Sequence, residues 1–217
     1  MTPPNRERKN DIKFNIELNA EQKEAKKLIV DNQIVIVTGS AGTGKSLICA
    51  QAALDFLMKK QCESIFVTRA TIEVGKSLGF LPGGLEDKFN PYLEALIDNL
   101  YKCKDKPTID KVIENGQLKA LPLQFIRGKT IESVLIVEES QNLTKGEVLA
   151  ILTRLGKSGK IIFNGDNNQQ DTKDSFTGLS YLIELSKVIT EIKWKKLIEN
   201  HRSDLVAKIL EYEYKSV

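Results

Sequence analysis

The chain has 217 residues, of which 41% are hydrophobic and 28% charged, and its 32 basic against 29 acidic residues leave a net charge of +3. These proportions describe one globular domain with its own core and exclude a disordered chain, a membrane-embedded one and a strongly basic polymer coat, while leaving nucleic acid open as a partner. Three cysteines, Cys49, Cys62 and Cys103, form no CxxC pair, and His201 is the sole histidine, which argues against disulfide frameworks, zinc sites and histidine-dependent triads and makes His201 a surface or loop residue.

Residues 1–13 are polar and carry Pro3 and Pro4, the composition of a loose arm, so ordered structure is expected from about Phe14. The start has no apolar leader and no uncharged run approaches the ~18 residues of a membrane span, so the expected location is the cytoplasm, with no membrane partner. Asn19 is a good cap for a helix from Ala20 to about Asp31, with Glu21, Gln22 and Glu24 near its positive end. Ile34-Val35-Ile36-Val37-Thr38 follows as a β-branched run without alternation, the pattern of a strand covered on both faces. Similar runs occur at 64–68, 134–137 and 160–164, and a fifth strand is expected at 192–194 or 196–198. Helical patterns at about 45–60, 90–102, 144–156 and 176–187 alternate with them, which predicts an α/β fold with a mostly parallel sheet flanked by helices. The stretch 69–130, rich in Gly and Pro, is too long for one crossover and predicts a helical insertion after the second strand, built of short helices and suited to a partner.

Three segments at strand ends carry chemistry. Gly39-Ser40-Ala41-Gly42-Thr43-Gly44-Lys45-Ser46 satisfies GxxxxGK[ST] between a strand and a helix. The glycines let backbone N–H groups turn inward as an anion cradle, Lys45 reaches phosphate oxygens, and the Ser46 hydroxyl suits Mg²⁺. Val134 to Val137 ends in Glu138-Glu139; alternation along a strand divides their work, Glu138 for the metal and Glu139 for the attacking water. Gly165-Asp166-Asn167-Asn168-Gln169-Gln170-Asp171 follows another core strand and offers amides and carboxylates that could sense a terminal phosphate. Open α/β sheets bind ligands at the carboxyl ends of their strands, where all three segments fall.

These residues resemble the PhoH family of P-loop ATPases, related to the nucleotide-binding core of superfamily 1 helicases, over roughly Leu18 to Tyr214. The most specific match runs from Val67-Thr68-Arg69 through Gly79-Phe80-Leu81-Pro82-Gly83-Gly84 to Asn90-Pro91-Tyr92-Leu93, joined by Phe125-Ile126-Arg127-Gly128-Lys129-Thr130 and Leu152-Thr153-Arg154-Leu155-Gly156. The resemblance implies a RecA-like fold, ATP with Mg²⁺, Asn19 and Gln22 as an adenine-reading motif, and Gln169 on the γ-phosphate or its water. It also suggests homo-oligomers, with hexamers as the expected form, and Arg202 as the first arginine candidate for the transition state with Arg154 and Arg127 behind it. Two departures stand out: Ala70 replaces the usual proline, and Glu138 replaces aspartate, whose extra methylene favours metal contact through water.

The reading that follows is an ATPase coupled to RNA or single-stranded DNA, with phosphate contacts at Thr68, Arg69, Arg127, Lys129 and lysines 102, 104 and 106, and with Tyr92 and Tyr101 either stacking on bases or packing in the core. The alternatives are an ATP-gated switch with little turnover and a small-molecule kinase. A second RecA-like lobe does not fit in the length, so helicase-like work would need several subunits, and no residues remain for the nuclease domain of some relatives.

Overall fold

The computed structural model describes residues 12–70, 85–166 and 176–201 together with Leu205, Val206 and Tyr212, and of residues 85–92 the backbone alone. The expectations for Gln169, Asp171, Arg202, the Tyr92 side chain and most of the 1–13 arm therefore lie outside the described residues.

Helix α1 (Ala20–Asp31) starts at Asn19, whose side chain accepts from the Gln22 backbone while the Gln22 side chain accepts from the Asn19 backbone, so two helix-end donors are satisfied at once. It leads into β1 (Ile34–Gly39), α2 (Lys45–Met58) and β2 (Ile65–Arg69). Next come α3 (Leu85–Cys103), α4 (Lys106–Glu114), β3 (Leu118–Ala120) and α5 (Leu123–Ile126). The chain continues through β4 (Val134–Glu138), a 3-10 turn at Ser140–Asn142, α6 (Lys145–Leu152), β5 (Lys160–Gly165), α7 (Gly178–Val188) and β6 (Ile192–Leu197).

One six-stranded sheet has the order β3-β2-β4-β5-β1-β6, with every neighbouring pair parallel. Strand residues alternate between two cores. Val35, Val37, Ile65, Val67, Val134, Ile136 and Ile162 pack with α1 to α4, whereas Ile36, Leu135, Val137, Ile161 and Phe163 pack with α5 to α7. Burial on both faces is why these strands read as unbroken apolar runs. Among the described residues no helix is long and apolar enough to cross a membrane.

Two expectations are refined. The 69–130 stretch holds helices after the second strand, α3, α4 and α5, but it also contains β3, which extends the sheet beside β2, and α3 is 19 residues long and packs Leu96, Leu100 and Cys103 into the first core. The alternatives for a fifth strand merge into the single strand β6, paired with β1 over its whole length.

Candidate active site

The parallel sheet brings the carboxyl ends of β1, β4 and β5 together, and the strand parity decides which side chains meet. Glu138 and Asn164 share a face with Ile136 and Ile162, towards α2, where Ser46 begins the helix. Asn164 Nδ2 donates to Ser46 Oγ at 3.0 Å and to Glu138 Oε2 at 2.7 Å, and Ser46 Oγ donates to the same carboxylate oxygen at 3.3 Å. Burial pushes the Glu138 carboxyl up to about 7, and the neighbouring Glu139 charge adds to the rise, while the Ser46 and Asn164 hydrogen bonds and the Arg69 charge oppose it.

The loop between β1 and α2 has Gly39, Gly42 and Gly44 at φ +155°, +93° and +86°. The last two are left-handed values that glycine adopts without steric cost. At Gly44 a Cβ would also lie 2.5 Å from Gln22 Nε2, so a side chain there would have to displace the Gln22 amide. Distant segments brace this loop. Gln22 Nε2 donates to Thr43 O, Asn200 Nδ2 to Ala41 O and the His201 N–H to Gly42 O. Lys45 Nζ donates to Gly39 O at 2.7 Å and Ser40 O at 3.1 Å. Burial lowers its pKa, and Asp166, Glu139 and Glu138 hold it up.

Glu139 leaves the strand at φ 53°, left-handed backbone that costs a non-glycine residue about 1 kcal/mol. Its carboxylate accepts from Arg69 Nη2 at 3.3 Å and from Gln141 Nε2 at 2.6 Å. The buried Gln141 also accepts from the Asp166 N–H at 3.1 Å, which links the ends of β4 and β5.

These groups share a cavity of about 490 Å³ lined by Ala41, Gly42, Gly44, Lys45, Ser46, Leu47, Asn99, Lys102, Glu138, Glu139, Asn164 and Asp166. A second cavity of about 120 Å³ adjoins it through Ser46, Asn99, Glu138 and Glu139 and brings in Arg69. A loop of inward N–H groups at a helix start, one lysine, and a hydroxyl beside a carboxylate are a donor set for a polyphosphate and a hard divalent cation. With left-handed backbone at Gly42 and Gly44 keeping this loop to glycine, and the Ser46 hydroxyl set against the Glu138 carboxylate, the residues fit nucleotide and Mg²⁺. Among the described residues no three acidic, cysteine or histidine side chains converge as a cage, and Mg²⁺ characteristically takes one or two protein oxygens plus phosphates.

Of the expected site residues, Ala41, Gly42, Gly44, Lys45, Ser46, Glu138 and Glu139 line the main cavity. Asn19 and Gln22 do not line it: Gln22 spends both amide ends on bracing, and Asn19 Nδ2 donates to Glu199 and lies 3.1 Å from His201 Nε2. Arg154 and Arg127 are joined at the amino-terminal edge of β4, where Arg154 Nη1 donates to Arg127 O and Ile131 bonds Arg154 O, so neither reaches this chain's own cavity. Of lysines 102, 104 and 106 only Lys102 lines the cavity; Lys104 bonds Lys13 O and Lys106 pairs with Asp110. Tyr101 packs at the core and donates to Asp110, as the core alternative had it. Burial raises the Cys49 thiol well above its usual range and lifts Cys103 to about 12, which leaves both inert. Sequence reasoning missed Asn164, Gln141 and Asn99, and had Lys102 as a contact for a polymer phosphate and not as a wall of this cavity. Asn164 carried a signal, a polar residue closing the apolar run Ile161-Ile162-Phe163, but Gln141 and Asn99 carried none before the packing of the elements was known.

A family model described as "PhoH-like protein" matches residues 16–213. A PhoH-like protein of Bacillus subtilis is 37% identical over 184 residues, covering 83% of this chain and 58% of its own length. Protein PhoH of Escherichia coli is 36% identical over 162 residues, covering 73% of this chain and 46% of its own. The chain spans about half the length of the curated relatives it matches. Among solved structures, the large terminase of a thermophilic bacteriophage aligns with a TM-score of 0.58 at 12% identity, over 90% of this chain and 50% of that one, which shows the shared P-loop fold.

Proposed function

Because the chain belongs to the PhoH-like protein family, we propose that it is an Mg-dependent ATPase of the cytoplasm that couples hydrolysis to binding or remodelling RNA or single-stranded DNA as a homo-oligomer. The observation that carries the ATPase reading is the junction of Ser46, Asn164 and Glu138 with Glu139 in one cavity beside the loop lysine. Bound Mg²⁺ would supply positive charge against the phosphate oxygens, with Ser46 Oγ and Glu138 Oε2 holding it directly or through water. Lys45 exchanges its loop carbonyls for phosphate oxygens. Glu139 takes the proton of a water whose oxygen bonds the γ-phosphorus while the bond to the bridging oxygen breaks and ADP departs with that electron pair. Gln169 is our candidate for aligning that water, and Asn19, beside His201, with Gln22 for meeting adenine.

Support for the polymer comes from Arg69, half-exposed at the carboxyl end of β2, and from the motif string that begins there. Support for the oligomer, with the hexamer as the form the family resemblance suggests, comes from the arginines. Arg127 and Arg154 are joined before β4 and line neither cavity of this chain, which suits donation to a neighbouring subunit's site, and Arg202 is the candidate from the same chain. Phosphate release from ATP, measured alone, with oligo(U) and with oligo(dT), tests the reading: Mg-dependent turnover raised by either oligomer is expected, and phosphorylation of a metabolite in its place would overturn it. A second reading, a nucleotide-gated switch with little turnover, draws on the engagement of both Glu139 oxygens by Arg69 and Gln141; stable ATP binding without release would select it.

A further inference from the structure

We propose that Arg69 is a positioning residue that holds Glu139 back from water, and that a backbone phosphate of a bound nucleic acid strand releases the carboxylate by taking Arg69; this rests on the ATPase reading above. Both oxygens of Glu139 are occupied, Oε2 by Gln141 at 2.6 Å and Oε1 by Arg69 at 3.3 Å. Each oxygen keeps a further acceptor site, so a water can share the carboxylate, and the donor that leaves most readily decides which oxygen opens fully to it. Gln141 is buried and tied to Asp166, whereas the Arg69 side chain is 40% exposed and its contact is the longer, so Arg69 is the partner that yields.

Placement points to an external anion as the trigger. Arg69 ends β2 beside Glu138 in the sheet register, and it lines the small cavity that shares Ser46, Asn99, Glu138 and Glu139 with the main one. Its guanidinium thus spans from the reacting groups to solvent. An ion pair this exposed holds weakly, while a phosphate diester accepts paired, charge-assisted bonds from arginine, so the exchange is favourable. One residue serving two anions makes the coupling reciprocal: whatever the strand gains from Arg69, Glu139 loses.

The test uses labelled oligo(dT) and oligo(U) binding in EDTA without nucleotide, beside steady-state ATP hydrolysis, for the unmutated protein, E139Q, R69A and R69K. E139Q should bind oligomer roughly 2- to 5-fold more tightly, the range an exposed ion pair can supply. R69A should bind more weakly, with a salt slope shallower by about one. In turnover R69A should raise basal kcat by roughly 2- to 5-fold at unchanged KM and lose stimulation by oligomer, and R69K should keep part of both. Equal oligomer binding by E139Q and the unmutated protein overturns the proposal, as does a fall in basal kcat for R69A. Weaker binding of ATP relative to ADP by R69A without oligomer would assign the arginine to the nucleotide and also overturn it. Turnover with no oligomer binding at all rejects this coupling and leaves the ATPase standing, whereas absent turnover with the E139Q tightening intact rejects the ATPase and leaves the competition for Arg69 established.

Discussion

Glu138 ends a strand with its carboxylate turned onto Ser46 and Asn164, in surroundings that lift its pKa to about 7, whereas Glu139 leaves the strand in left-handed backbone and meets Arg69 and Gln141 at the cavity mouth. Identical side chains one residue apart are thus given different surroundings by geometry alone. The first accepts from Ser46 and Asn164 in a buried place that favours a proton or a cation beside it; the second is held by donors nearer the solvent. The contrast shows that an acidic pair at a strand end is two sites, and that the break in strand parity after Glu138 separates them.

The sharpest way to break the comparison is E139Q, which keeps the shape and removes the base. It should lower kcat by about 10²- to 10⁴-fold with ATP affinity retained, as nucleotide titration beside phosphate release would show. E138Q should act on the metal, weakening Mg²⁺ by at least about 10-fold, since disturbing only the outer support of a metal ligand can cost that much. The pH profile sharpens this. Below about 7 the proton competes for Glu138, so Mg²⁺ affinity in the unmutated protein should fall as pH drops from 8 to 6, and E138Q should flatten that dependence. N164A removes the donor shared by Ser46 and Glu138 and should weaken Mg²⁺ about 5-fold and stability by about 1–2 kcal/mol, measurable by metal titration and denaturant unfolding. The smallest effect concerns stability. Glu138 ionises at about 4.5 unfolded and about 7 folded, so the unfolded state sheds its proton first. Stability should therefore fall as pH rises between those values and level off above, by of order 1 kcal/mol after allowance for its place on the cavity wall, and E138Q should lose the slope.

How far this contrast could be read in advance depended on the range of the interactions involved. The start of helix α1 was legible because Asn19 and Gln22 cap it locally, and the phosphate loop because its glycines answer to backbone geometry within eight positions. Alternation predicts that Glu138 and Glu139 diverge, but the left-handed turn that parts them in the structure is not written in that pattern. What escaped depends on partners distant in sequence: Asn164 meets Ser46 across 118 positions, and Arg69 meets Glu139 because β2 pairs with β4. Strand β3 escaped for another reason. Leu118-Lys119-Ala120 has no β-branched residue, and its register beside β2 supplies the structure that its own composition does not.

The bracing of the phosphate loop has a temporal consequence. Its carbonyls at Ala41 and Gly42 are held by Asn200 and His201, and its glycine at position 39 closes against Leu197. A chain emerging from the ribosome makes the loop first and lacks the residues that set it until Asn200, 159 positions beyond Ala41, and His201 have followed. Competence to grip a triphosphate should arrive late and abruptly during synthesis, so that a nascent chain released short of His201 would carry the motif without the grip.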